Sequence, residues 1–329
     1  MQRIPLLQTG LSCGKVFSVI IMKEKIKGTA CLLLATIIWG SAFIAQSVGM
    51  DHVGPFTFQA FRAFLALLFL FPLSRFTDGK QDFGKKWLDP KLWKTGFWAG
   101  IALFCAAGLQ QVSLQYTTAG KAGFLTAMYI VLVPVLGAFF GKKLPLTAWV
   151  SVGIAVVGLY LLSGANLKGI HITDLMLLGC AFFFAVQITI VDRLGLGFDG
   201  VRLNFVQSFV CAVLSAIMMV LTEEVNWADI LSCWLPLCYA GILSMGVAYT
   251  LQIVGQQYLD PTQASVIMSL ESVFALLFGW LLLHERLSTT ELLGCAAMFC
   301  AVILSQMQKK SPALGGVRKT VNPPYDDWS

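Results

Sequence analysis

Charge is scarce in this 329-residue chain: Asp, Glu, Lys and Arg make up only 12% of it, about half of the ~25% usual in soluble domains. That scarcity excludes a water-soluble fold. No Gly-rich loop ending in Lys-Ser/Thr is present, so ATP does not drive this chain directly, and the zinc-protease pattern HExxH is missing. The nine cysteines include no CxxC or other zinc spacing. Cys31, Cys105, Cys180, Cys211, Cys295 and Cys300 fall inside apolar runs, where they read as small packing residues. His52, His171 and His284 are scattered over different connections. A membrane-embedded enzyme would need paired acids or a His/Asp cluster, and neither is visible. A channel would show a filter motif or a ring of pore charges, also not visible. No cofactor is implied.

What fills the chain is apolar sequence, 57% of all residues, with a mean hydropathy of +0.77. A spanning helix needs about 20 mostly apolar residues. Ten such runs can be drawn, at 28–49, 55–76, 95–115, 118–140, 146–163, 172–191, 202–221, 230–256, 262–283 and 289–307. Their length excludes a transmembrane β-barrel, whose strands are about 10 residues long. The run at 230–256 is long enough to be two pieces or tilted. The expected fold is an all-α polytopic membrane protein with ten transmembrane helices. Of the 23 Lys and Arg, 19 fall before the first run, in alternate connections and in the tail, against two, Lys168 and Arg286, on the other side. By the positive-inside rule both termini are expected in the cytosol. The net charge of +6 therefore expresses topology, not nucleic-acid binding. Met22-Lys23-Glu24-Lys25 is a more natural start than the first residues, which lack a convincing cleavage site. Residues 308–329 read as a disordered tail.

The apolar chain also says much the same thing twice. With an offset of 142, Leu109–Ser163 matches Leu251–Ser305 at 12 of 55 positions without a gap. Leu109-Gln110-x-Val112-x-x-Gln115-Tyr116 mirrors Leu251-Gln252-x-Val254-x-x-Gln257-Tyr258. Shared apolar letters prove little, and the polar Gln/Gln/Tyr trio carries the signal. Five helices per repeat is an odd number, so the second repeat enters the membrane upside down. In agreement, the basic pair Lys142-Lys143 has His284-Glu285 as its counterpart. The expected organisation is a segment 1–27, a first five-helix repeat 28–163, an inverted second repeat 164–307 and the tail 308–329. Inverted repeats in a polytopic chain point to a carrier with its site near the bilayer midplane, between the halves.

Further motifs are Trp39-Gly40-Ser41-x-Phe43, Phe61-Arg62-x-Phe64, Pro134, Leu270-Glu271-Ser272-Val273-Phe274-Ala275, Leu283-His284-Glu285-Arg286-Leu287-Ser288 and Gly294. Together they resemble the drug/metabolite transporter superfamily of EamA type. The resemblance spans about 28–307. Ser272 stands where many relatives carry proline, and Lys142-Lys143 where the first repeat often carries glutamate. The resemblance implies ten helices around a central cavity, and export of small metabolites by alternating access. Lipid or lipid-carrier flipping is a second reading within transport. A bacterial plasma membrane is the expected location.

Ionisable groups inside spans are costly and are functional candidates. Glu271 lies about ten residues from its helix end, near the midplane at 1.5 Å per residue. It could couple transport to protons or cations, or make a structural hydrogen bond. Arg62 follows Gln59 by three residues on one helix face. The pair could bind a carboxylate or phosphate, and Arg62 could equally tie helices together. Lys121, near a helix end, either snorkels or lines a cavity. Its repeat partner is Gln263, and Tyr129 pairs with Glu271. Gln110, Gln252 and the aromatic Trp39 complete the candidates, with helix-to-helix hydrogen bonding as the alternative for the amides. The expected partners are a small-molecule solute, the lipid bilayer, and protons or cations, with no nucleic acid; the oligomeric state is open.

Overall fold

The computed structural model describes residues 10–77, 83–117, 119–162, 171–283 and 288–307. The tail 308–329 and the His284-Glu285-Arg286 stretch lie outside these. The described residues contain helices and no strand. In chain order the helices are α1 (Gly10–Met50), α2 (Pro55–Thr77), α3 (Phe83–Trp87), α4 (Pro90–Leu114), α5 (Ala119–Thr126), α6 (Tyr129–Phe139), α7 (Leu146–Leu162) and α8 (Ile172–Leu194). There follow α9 (Gly200–Thr222), α10 (Trp227–Ser232), α11 (Trp234–Cys238), a π-helical stretch (Tyr239–Ala248), α12 (Tyr249–Gln256), α13 (Pro261–Met268), α14 (Glu271–Leu283) and α15 (Thr289–Gln306). Among the described residues nine segments are long and apolar enough to cross a bilayer, and Leu146–Leu161 is a shorter tenth. At 17 residues α7 is about 25 Å long, which a slightly thinned bilayer accommodates.

Local chemistry explains the boundaries. The third span starts at Pro90, earlier than expected, because Asp89 accepts a hydrogen bond from the Lys91 N–H (2.9 Å) and proline suits the first turn. Asp199 and Asp260 cap α9 and α13 in the same way. Ser288 and Glu291 form a capping box on α15. The long eighth run divides: Asn226 caps the short α10, and the spanning part begins at Trp234. α1 extends upstream of the expected start and passes Met22 unbroken. At the start of α2 the cap comes from a distance. Glu223, just after α9, accepts from the Phe56 and Thr57 N–H groups at 2.8 and 2.7 Å. Gly54 permits this, since a Cβ there would sit 2.3 Å from the carboxylate.

The repeat is visible element by element. α5, α6 and α7 begin at 119, 129 and 146, and α13, α14 and α15 at 261, 271 and 289, shifts of 142 or 143. α2 and α9 both have 23 residues and begin 145 apart, because the connections differ in length. Both halves break their fourth spanning helix at the same place. Ile130 and Val131 bond back three residues, to Ala127 and Met128, as Leu270 and Ser272 do to Ile267 and Ser269. These tightened turns make Tyr129 and Glu271 the first residues of α6 and α14.

Packing is duplicated too. α4 and α6 lie against α8, while the π stretch, α12 and α14 lie against α1. The mates α2 and α9 pack on each other, and so do α7 and α15. Inside a bilayer, close packing and interhelical hydrogen bonds carry association. Gly40 shows the first: a Cβ there would lie 2.5 Å from the Phe274 Cβ and 2.8 Å from the backbone, so glycine lets α1 close onto α14.

Candidate functional site

Where the two halves meet, α1, α2, α4, α5, α6, α8, the π stretch, α12, α13 and α14 line a partly open cavity with a water-sized free volume of about 40 Å³. Its polar lining comes from Gln46, Arg62, Gln110, Thr126, Tyr129, Ser244, Tyr249, Gln252 and Glu271. Trp39, Phe43, Phe184, Ile188, Met245 and Met268 supply the apolar wall. The Trp39-Gly40-Ser41 motif divides its labour. The Trp39 ring faces the cavity and meets Tyr249 edge-on at 5.0 Å, Gly40 admits Phe274, and the Ser41 hydroxyl bonds the Tyr239 hydroxyl.

The Tyr129 hydroxyl donates to Glu271 Oε1 at 3.1 Å. These two residues are repeat mates, 142 apart, so here the two repeats touch through equivalent positions. Gln110 with Gln252, and Thr126 with Met268, are further mates on the cavity wall. So are Phe43 with Phe184, at the shift of 141 that aligns α1 with α8.

Amides next to the cavity form a directional chain in the second half. Gln252 Nε2 donates to Gln187 Oε1 (3.0 Å), Gln187 Nε2 to Gln207 Oε1 (3.0 Å), and Gln207 Nε2 to Asn204 Oδ1 (2.9 Å). Asn204 Nδ2 ends the chain on the Met245 and Gly246 carbonyls, both at 2.9 Å. Those carbonyls belong to the π-helical stretch, whose altered register leaves them open to a side-chain partner. The four counterparts in the first half are Gln110, Gln46, Arg62 and Gln59. Gln59 Nε2 reaches the Phe104 carbonyl (3.3 Å), the mate of the Gly246 carbonyl. Arg62 stands where the second half has Gln207, and there the chain changes. Its Nη1 donates to Gln46 Oε1 at 2.6 Å, and Gln110 turns to Thr126 Oγ1 at 3.2 Å.

Arg62 is 6% exposed and Glu271 is 6% exposed. Among the described residues neither has an ion-pair partner within 4.0 Å, and they do not pair with each other. Three shielded polar atoms on lining residues have no partner in the protein: Trp39 Nε1, Arg62 Nε and Gln252 Oε1. Buried polar groups are normally satisfied, so three such atoms around one cavity are unusual.

The remaining candidates sit elsewhere. Gln59 is fully buried beside the cavity, on the Phe104 carbonyl and near Cys211. Lys121 is not on the cavity wall; its Nζ lies 2.7 Å from Asp174 and ties the start of α5 to the start of α8. Gln263 also faces away, donating to the Ser305 carbonyl at 2.6 Å. Sequence reasoning passes over Thr126, Ser244, Met245 and Met268, which only the breaks and the π stretch bring to the wall. No group of His, Cys, Asp and Glu among the described residues could hold a metal ion.

The chain matches the model of the EamA-like transporter family over residues 16–164 and 171–307. It belongs to that family. An uncharacterized transporter of Archaeoglobus fulgidus is 36% identical over 281 residues, 84% of this chain and 85% of the relative. An uncharacterized transporter of Bacillus subtilis, YoaV, is 23% identical, over 83% of this chain and 94% of its own length. A WAT1-related chloroplast protein of Arabidopsis thaliana is also 23% identical, over 81% and 66% respectively. A solved crystal structure with 19% identity superposes with a TM-score of 0.71, covering 84% of this chain and 96% of that one, which shows a shared fold. As an EamA-like protein the chain is a multi-pass membrane protein of a family of transporters rather than enzymes.

Proposed function

We propose that this protein is a secondary carrier that moves a small solute through the central cavity by alternating access of its two inverted halves. The observation that carries this reading is the Tyr129–Glu271 hydrogen bond, which joins repeat mates on the cavity wall. A group at such a contact is shared by both halves, so rocking one half against the other changes its access without moving the site far. The broken helices place both residues at a joint where such motion can occur. Among the described residues Glu271 is the only carboxylate on the wall. Burying an unpaired anion is expensive, so a proton or a cationic group on the solute neutralises it in turn. That competition couples outward solute movement to inward proton movement across the plasma membrane, with the basic connections on the cytosolic side.

Reconstitution tests this reading. Proteoliposomes loaded with one of a panel of amino acids, nucleosides, sugars or polyamines are diluted into labelled solute. A carrier gives saturable counterflow, stimulated by the loaded solute. Flux that never saturates and ignores the loaded solute would mean a pore, and exchange of lipid alone would mean a flippase.

A further inference from the structure

The span that ends in α12 holds one residue more than its first-half mate α4, at a place the sequence fixes. Trp93, Ala99, Gly100 and Ile101 match Trp234, Ala240, Gly241 and Ile242 at an offset of 141. Ala106, Leu109 and Gln110 match Ala248, Leu251 and Gln252 at an offset of 142. Between the two matched groups the first half has four residues, 102–105, and the second has five, 243–247. The packing keeps both registers. A Cβ on Gly100 would meet the Gln207 carbonyl and the Val210 Cβ, both at 2.7 Å. A Cβ on Gly241 would meet the equivalent positions of the mate helix, the Arg62 carbonyl at 2.8 Å and the Leu65 Cβ at 2.7 Å. Past the extra residue, Ala106 and Ala248 are both fully buried, and Gln110 and Gln252 both reach the cavity. One residue added to an α-helix turns everything after it by about 100°. α4 is α-helical from end to end, whereas the π stretch Tyr239–Ala248 encloses the added residue. Its wider turn absorbs that residue and leaves both ends in register.

Resting on the carrier reading, we infer that this one-residue insertion is a hinge, so that the two halves move unequally. The second half bends at the π stretch, while α4 moves as a rigid rod. π turns inside helices are rare and occur frequently at functional sites. A wide turn has a second arrangement at hand, because shifting it by one residue re-pairs the carbonyls without unwinding the span. Side chains already stand in for backbone donors here. The Met245 carbonyl accepts from Asn204 Nδ2 at 2.9 Å, and the Gly246 carbonyl from Asn204 Nδ2 at 2.9 Å and the Thr250 hydroxyl at 2.7 Å. The stretch is thus held from α9 by a contact that can be exchanged as the helices shift. It also carries Ser244 and Met245 to the cavity wall, whereas among the described residues no position of α4 from Gly100 to Leu109 lines it. Bending therefore reshapes the cavity from one half only.

Hydrogen–deuterium exchange of the full chain in lipid nanodiscs tests the hinge without any solute. After correction for intrinsic rates, the amides of 242–248 should exchange about tenfold or more faster than those of the mate segment 101–106. Equal exchange in the two segments, or faster exchange in α4, would overturn the hinge and leave the carrier reading standing. Deletion of Leu243, an exposed residue of the stretch, brings the second half to the residue count of the first. The variant should keep a cooperative thermal transition, and its stretch should exchange as slowly as 101–106. With Met268→Cys added on a cysteine-free background, the deletion should abolish labelling by a membrane-impermeant maleimide from one face of sealed vesicles. A deletion that unfolds the protein, or that leaves labelling from both faces as in its parent, would overturn the inference. Labelling of the parent itself from one face alone would overturn the carrier reading, and the exchange contrast would still decide whether the stretch is a hinge.

Discussion

Asn204 ties α9 to the π stretch, and its removal tests whether the duplicated amide network is read correctly. Its side chain is fully buried. Nδ2 donates to the Met245 and Gly246 carbonyls at 2.9 Å, and Oδ1 accepts from Gln207 at 2.9 Å and Ser208 at 3.3 Å. Asn204→Ala removes up to five hydrogen bonds, counting the 3.0 Å bond to Thr250 Oγ1, and leaves the Met245 carbonyl without its side-chain donor while Gly246 keeps the Thr250 hydroxyl. Interhelical bonds in membranes average about 0.6 kcal/mol each, so the loss is on the order of 2–3 kcal/mol. The mirror variant Gln59→Ala loses only the 3.3 Å bond to Phe104 and the weak contact with Cys211, and its Oε1 has no partner in the protein. That corresponds to about 1 kcal/mol. Unfolding by titration with a denaturing detergent, in mixed micelles at fixed lipid content, measures both. Asn204→Ala should be the more destabilised by about 1–2 kcal/mol. Equal costs, or a greater cost for Gln59→Ala, would refute the assignment of Asn204 as the tie between α9 and the π stretch.

Lys121→Met and Asp174→Asn should each lower stability by no more than about 1 kcal/mol, because their ion pair is partly exposed; the ranking of solutes in counterflow should not change. Lys142 Nζ lies 2.7 Å from Asp260, linking the far end of α6 to the start of α13. Lys142→Gln and Asp260→Asn, the latter keeping the cap on Thr262, should each raise labelling of the cavity from that face. The rise should be about two- to fivefold, the range open to a half-exposed pair of up to about 1 kcal/mol, and combining the two should add nothing. Glu271→Gln should abolish accumulation driven by a pH gradient, a gradient that for one unit and one proton supports about tenfold accumulation in the wild type. Equal pH-driven accumulation in both proteins would remove Glu271 from the coupling.

Different parts of the molecule are legible in the chain to different degrees, for physical reasons. The spans are plain because a bilayer demands long apolar runs, and the duplication because polar letters recur at one offset. That offset holds only from α4 to α7. The shifts of 141 and 145 elsewhere hide the pairing of Gln46 with Gln187 and of Arg62 with Gln207 behind differing connections. The helix breaks at 127–128 and 269–270 carry no proline or glycine, so nothing local announces them. The π stretch is met by Asn204 reaching across from another helix, a contact that no local pattern encodes. Of the mirrored trio, Gln110 and Gln252 reach the cavity. Tyr116 is 73% exposed, Tyr258 meets Lys27 at 5.2 Å, and Gln257 bonds the Phe198 carbonyl at 2.8 Å. Glu271 and Arg62 stand out in sequence because charge is rare in spans. Lys121 stands out equally, and only its partner Asp174, fifty-three residues on, separates it from them.

Access to the cavity from both sides of the membrane tests the central claim most directly. Met268 lines the cavity and is buried, so a single cysteine placed there on a cysteine-free background reports on it. Sealed right-side-out and inside-out vesicles are treated with a membrane-impermeant maleimide, with and without transported solute. Alternating access predicts labelling from both faces, slowed by solute on either side. Labelling from one face alone, whatever solute is present, would contradict it.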